Sequence, residues 1–196
     1  MSAGPEGPPD GGMRYELAGM LGPPGALLLV VRALPRARLV ALDVPGIALL
    51  PVTAAMAADA TPAALCAMGL RRLAGGTPHA ADRRALLAGP ESGFHALVPG
   101  LVALIEAASL AGPVAYVEAD YVGREGRQCA AVWRSGQLVV GPRLLGRGEP
   151  FPGSAAPVSV ALRALGVRAR GRRDEFVVAG LGRHRSTEDW GRGSTG

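Results

Sequence analysis

Residues 113–141 read PVAYVEADYVGREGRQCAAVWRSGQLVVG, and their pattern decides the fold. β-Branched and aromatic residues run from Val114 to Val122, from Arg127 to Arg134 and from Gln137 to Val140. Gly123-Arg124-Glu125-Gly126 and Ser135-Gly136 separate the runs. Short runs of this composition split by glycine-bearing turns mark antiparallel hairpins, so the stretch predicts a three-stranded meander.

A four-residue loop over 123–126 sets Val122 opposite Arg127, Asp120 opposite Cys129, Glu118 opposite Ala131 and Tyr116 opposite Trp133. A two-residue turn at Ser135-Gly136 pairs Trp133 with Leu138 and Val132 with Val139. Side chains alternate along a strand, so one face carries Ala115, Val117, Ala119, Ala130, Val132 and Val139. That face is small and smooth, suited to a helix such as 157–165 or 97–110. The other face carries Tyr116, Glu118, Asp120, Cys129, Ala131, Trp133, Leu138 and Val140, and is expected half-exposed. Tyr116, Glu118, Asp120 and Trp133 are the candidate binding residues there. Aromatic rings ringed by charge suit a protein-binding hot spot, and two carboxylates on one face suit acid–base work on a substrate. The plain alternative is a solvated sheet face kept soluble by its charges.

A second hairpin flanks this one in sequence. Arg38–Val44 and Ile47–Val52 surround Pro45-Gly46, the pair expected at the centre of a type II turn. Asp43 then falls at a strand end facing solvent. Arg14–Ala18 reads as a short strand or a helix entry, and Ala26–Leu34 as a buried helix stopped by Pro35. Thr61-Pro62 starts an alanine-rich helix whose apolar stripe runs through Leu65, Cys66, Met68, Leu70 and Leu73. Helical spacing recurs over 80–87, over 97–110 with Pro99 in the first turn, and over 157–165, capped by Ser154 or a neighbour and ended by Gly166. Asp174–Val178 is a short helix or strand.

These elements predict one α+β domain over 13–180: an antiparallel sheet with the meander at about 113–141 and the hairpin at about 38–52, packed against alanine-rich helices. Residues 1–12 (MSAGPEGPPDGG) are expected to be a disordered lead, with Met13 an alternative start, and 181–196 a polar, partly disordered tail.

All 21 basic residues are arginine, which reads as the imprint of a GC-rich genome, and the net charge of +5 favours acidic partners. Nine arginines lie between Arg143 and Arg185 against Glu149, Asp174 and Glu175. Of these, Arg168, Arg170, Arg172, Arg173, Arg183 and Arg185 are candidate anion-binding residues, with the solvated surface as the plain alternative. The aromatic residues near them are few, so nucleic acid is the weaker partner.

Several chemistries lack their residues. Without lysine there is no phosphate-loop or Schiff-base lysine, and no GxSxG, HExxH or GxGxxG pattern occurs. Cys66 and Cys129 form no CxxC pair, and His79, His95 and His184 are scattered, so no metal ligands, cofactor or catalytic residue is assigned. Cys129 reads as an inert core thiol. No apolar run approaches the ~20 residues of a membrane span, and a reducing cytoplasm is the expected compartment.

The runs 115–133, 136–142, 157–167 and DEFVVAGLGRHRSTEDW at 174–190, with the opening MRYELAGMLGPPGALLLVV, resemble a family of small actinobacterial proteins to which no activity is assigned. The resemblance covers most of residues 13–190 and implies kinship and compartment without a mechanism. Some members resemble toxin-neutralising immunity proteins in general layout, an analogy at the level of fold. Arg124 and Glu125 depart from the smaller or apolar residues expected at the first turn. The leading expectation is a non-enzymatic cytoplasmic protein-binding protein of immunity or adaptor type. The alternatives are an anion or nucleic-acid binder acting through 143–185, and a carboxylate-dependent hydrolase.

Overall fold

A computed structural model describes residues 14–67, 78–122, 125–169 and 174–192. The expected lead at 1–12, the stripe residues Met68, Leu70 and Leu73, and Arg170, Arg172 and Arg173 lie outside the described residues.

The chain is an α+β protein built on one antiparallel sheet. Its strands are β1 (Arg14–Gly22), β2 (Val40–Ala41), β3 (Ala48–Pro51), β4 (Val114–Val122), β5 (Glu125–Arg134) and β6 (Gln137–Leu145). They lie in the order β2-β3-β1-β4-β5-β6. The two hairpin regions are therefore joined through β1, which pairs antiparallel with β3 on one side and β4 on the other. Sequence pattern leaves β1 ambiguous because both its faces are buried and alternation is lost: Leu17, Met20 and Leu21 are all at most 1 % exposed.

Helices α1 (Pro24–Ala33), α2 (Ala54–Asp59), α3 (Pro62–Ala67), α4 (Pro78–Leu87) and α5 (Pro99–Ala108) come before β4 in the chain. Leu27 and Val30 of α1 and Leu101, Leu104 and Ile105 of α5 share a core with Met20, Tyr116, Ala131 and Trp133. Gly100 lets α5 close on the chain between α2 and α3, since a Cβ there would fall onto the Ala60 carbonyl. On the opposite face lie α6 (Pro157–Ala164), α7 (Glu175–Val178) and α8 (Thr187–Arg192). Val158 and Leu162 of α6 pack with Ala115, Val117, Ala119, Ala130 and Val132, the smooth face, while α5 takes the other. Each large aliphatic side chain so buried contributes roughly 1.5–3 kcal/mol.

The meander differs in register from expectation. Val122 pairs with Glu125, Glu118 with Cys129 and Tyr116 with Ala131, two residues from the expected partners. The strands run on past the expected loop because Gly126 is a strand residue: a Cβ there would collide with the Tyr121 ring, which lies over it. A slip of two preserves the side-chain parity, so both faces of β4 and β5 stand as expected. On β6, Trp133 pairs with Leu138 as expected, but a bulge brings Val140 rather than Val139 opposite Val132. Val140 joins the α6 side and Val139 is left 52 % exposed.

Three further differences have local causes. Pro45-Gly46 forms the expected turn, with Gly46 at φ 80°, but β2 is only two residues long. The chain leaves the ladder where the Asp43 N–H donates to the Ala179 carbonyl. Helix α6 has Ala156 at its N-cap and no capping side chain beside it; the remote Gln128 Oε1 accepts from Val158 N–H at 3.1 Å instead. Residues 181–192, expected as part of a polar tail, are folded onto β1. Tyr15 Oη donates to the Leu181 carbonyl, Glu16 N–H to the Arg185 carbonyl and Ala18 N–H to Thr187 Oγ1, at 2.8–2.9 Å. Trp190 is 1 % exposed. Ser186, which accepts from Asp189 N–H, caps this last helix with Ser-x-x-Asp spacing, the one signal in the sequence for it.

Candidate functional site

The expected binding face is interior. Tyr116 and Trp133 are fully buried under α5, and Glu118 is 3 % exposed. The physical reason is that Glu118 is saturated with donors. Its Oε1 accepts from Ala96 N–H at 2.8 Å and Tyr116 Oη at 3.1 Å. Its Oε2 accepts from His95 N–H at 2.8 Å and Arg127 Nη2 at 3.5 Å. A carboxylate held this way can sit in an apolar layer, because each lone-pair direction is satisfied. It pins the 93–96 loop to the sheet, and Arg127 adds a hydrogen bond to the Gly93 carbonyl at 2.9 Å.

Asp120 lies nearer the sheet end, in a cleft of about 490 Å³ that also takes in Arg14, Glu16, Arg127 and Arg147. Arg147 Nη2 meets Asp120 Oδ2 at 2.8 Å. Arg14 spans to Asp120 Oδ1 at 3.5 Å and Glu16 at 3.2 Å. Glu118 and Asp120 are thus on one face as expected, but every carboxylate in the cleft already has a guanidinium beside it.

Among the described residues, the candidate anion-binding arginines Arg168, Arg183 and Arg185 are dispersed. Arg168 Nη1 donates to the Arg163 and Val167 carbonyls at the end of α6. Arg183 reaches Asp43 at 3.1 Å, donates to the Ala41 carbonyl and lies 5.2 Å over the Trp190 ring. Arg185 turns to a different feature, on the α6 side of the sheet.

That feature is a cup of about 270 Å³ walled by Tyr15, Tyr121, Phe151 and Phe176, with Gln128, Asp174, Gly182 and Arg185 also lining it. Tyr15 and Tyr121 are cross-strand partners on β1 and β4. Phe176 comes from α7, which Asp174 caps by accepting Val177 N–H at 2.9 Å. Phe151 comes from the loop after β6. The rings meet edge to face, Tyr15 with Phe176 at 5.6 Å and Tyr121 with Phe151 at 6.4 Å.

Polar atoms in the cup are unequal. Tyr15 Oη is bonded to the Leu181 carbonyl, whereas Tyr121 Oη is buried and makes no hydrogen bond of normal geometry, with the Gln128 side chain as the polar group beside it. Burial pushes the Tyr121 phenol up to about 12, so at neutral pH it is an O–H donor. Phe151 is 50 % exposed and closes one side. Sequence reading missed the cup because its rings come from four separate segments; the available signal was scarcity. The chain has 3 Phe, 3 Tyr and 2 Trp, and half of these eight rings line this one cup.

Fold and site together define an α+β protein with an aromatic cup at one end of a six-stranded antiparallel sheet and an ion-paired cleft on the reverse face. Comparisons with protein-family models, curated proteins and solved structures return no match. Among the described residues no helix is long and apolar enough to cross a membrane, and no group of three or more His, Cys, Asp or Glu could hold a metal ion.

Proposed function

We propose that the protein is a non-enzymatic cytoplasmic binding protein, of immunity or adaptor type, that recognises a partner protein through the aromatic cup. The observation that carries this reading is the convergence of four of the chain's eight aromatic residues on one partly open site. Its volume of about 270 Å³ falls below the ~300–1,000 Å³ usual for small-molecule pockets. It suits one large side chain, and a single anchor in such a pocket commonly dominates a protein interface. The two free cysteines accord with a reducing compartment.

Phe151→Ala tests the reading, because Phe151 is half-exposed and its loss leaves the sheet core intact. Immobilised wild type should retain a partner from host lysate that the variant retains at least tenfold less well. A partner held equally by both would refute the cup as the recognition site.

A further inference from the structure

We infer that the group entering the cup is a cationic side chain with a carboxylate beside it on the partner, as a C-terminal lysine presents, an inference that rests on the binding reading above. The rings supply the first half of the argument. Tyr15 and Phe176 stand at 71° to each other and Tyr121 and Phe151 at 72°. Each pair therefore meets like adjoining walls rather than stacked plates, and the four rings bound one space. A cation within about 6 Å of an aromatic centroid is attracted by the ring quadrupole, and several rings around one space make a cage for an organic cation.

Two charges line the same cup, the Asp174 carboxylate and the Arg185 guanidinium. Among the described residues neither forms an ion pair, with the other or elsewhere. Asp174 Oδ1 accepts from Val177 N–H, and it is the backbone carbonyl of Arg185, not its guanidinium, that is tied to β1. By contrast Arg147, Arg163 and Arg183 meet Asp120, Glu175 and Asp43 on other surfaces. The cup thus offers one unpaired charge of each sign.

Those two charges select the anchor. A neutral ring seated in the cup would cover both without pairing either, and a charge taken from water without a partner opposes binding. A carboxylate alone would pair with Arg185 but face Asp174, and an ammonium alone would pair with Asp174 but face Arg185. A lysine at a chain end carries both charges, an ammonium on a flexible four-carbon stem and a carboxylate on its Cα. Its stem can lie along the rings while the ammonium meets Asp174 and the carboxylate meets Arg185. Capture of a chain-terminal carboxylate is a recurring way for one protein to hold the tail of another.

The test uses the full chain and four probes: acetyl-Gly-Gly-Lys with a free C-terminal carboxylate, the same peptide as its C-terminal amide, acetyl-Gly-Gly-norleucine with a free carboxylate, and acetyl-Gly-Gly-Phe amide. Amide NMR shifts at Gly182 and Arg185 report on the cup. Saturable binding of the lysine acid, with the other three weaker by about fivefold, is the expected result. Asp174→Asn keeps a good N-cap and should weaken the lysine acid severalfold without weakening the norleucine acid. Arg185→Gln should weaken the lysine acid without weakening the lysine amide. Norleucine bound as tightly as lysine overturns the cation, and amide bound as tightly as acid overturns the carboxylate. Tightest binding of the Phe amide overturns the inference while leaving the cup as a recognition site. Lysine-peptide shifts that Phe151→Ala does not change, or no saturable binding of any probe, overturn it as well, and retention from lysate by wild type against Phe151→Ala then decides the cup reading on its own.

Discussion

Glu118 offers the sharpest test of how the sheet is held, because its replacement by alanine removes one acceptor from several donors at once. The His95 and Ala96 amides and the Tyr116 hydroxyl lose their acceptor in Glu118→Ala, and Arg127 loses its carboxylate. A buried donor left unsatisfied costs about 1–3 kcal/mol. The cleft admits water to the two amides, which puts them at the low end, while Tyr116 is fully buried. The total comes to about 3–5 kcal/mol, the range also found when one partner of a buried ion pair is removed. For a chain of this size each kcal/mol shifts Tm by about 2–4 °C, so thermal unfolding should move down by roughly 6–20 °C. Glu118→Gln keeps one acceptor oxygen and should recover about half of the loss. Urea titration should show a lower midpoint with an unchanged slope. A Glu118→Ala variant that melts within about 2 °C of wild type would refute the clasp described here.

Two further outcomes follow from particular contacts. Cys129 is buried, with its Sγ directed at the Ser92 carbonyl, and burial pushes its thiol from 9.0 up to about 12. At pH 8 a thiol reagent should modify the exposed Cys66 readily and Cys129 only after denaturation. Cys129 and Tyr121 both hold their protons more tightly folded than unfolded. Their contribution is complete below pH 9 and is lost as pH rises from about 9 towards 12, so urea midpoints should fall across that window. A flat alkaline profile would contradict it. Gly100→Ala sets a methyl group against the Ala60 carbonyl oxygen, so α5 must shift. Its cost is about 1–3 kcal/mol, measurable by the same melt, whereas Gly25→Ala, which meets nothing within 4 Å, should be near neutral.

Legibility in the sequence divided along physical lines. The meander was readable because its turns and alternation are local, and its faces survived a register error of two because parity is all that a face depends on. The register itself was not readable: Gly126 looks like a turn glycine until Tyr121 is seen lying across it. Exposure failed for a related reason. Glu118 appears in sequence as an ordinary surface charge, and only the 93–96 loop, more than twenty residues away, supplies the amides that make its burial tolerable. β1 was obscure because both its faces are buried, and the 181–192 segment because its anchors on β1 lie 166 and 169 residues away, so that each completes the other's hydrogen bonding.

That mutual dependence sets an order of events during synthesis. β1 leaves the ribosome well before its partners: its Ala18 amide waits for Thr187 and its Tyr15 hydroxyl for Leu181, 169 and 166 residues later. Contacts so distant in sequence form late and slowly. The nascent chain must therefore carry an incompletely bonded central strand until residues 181–187 have been made, exposing an edge that chaperones or neighbouring chains can engage.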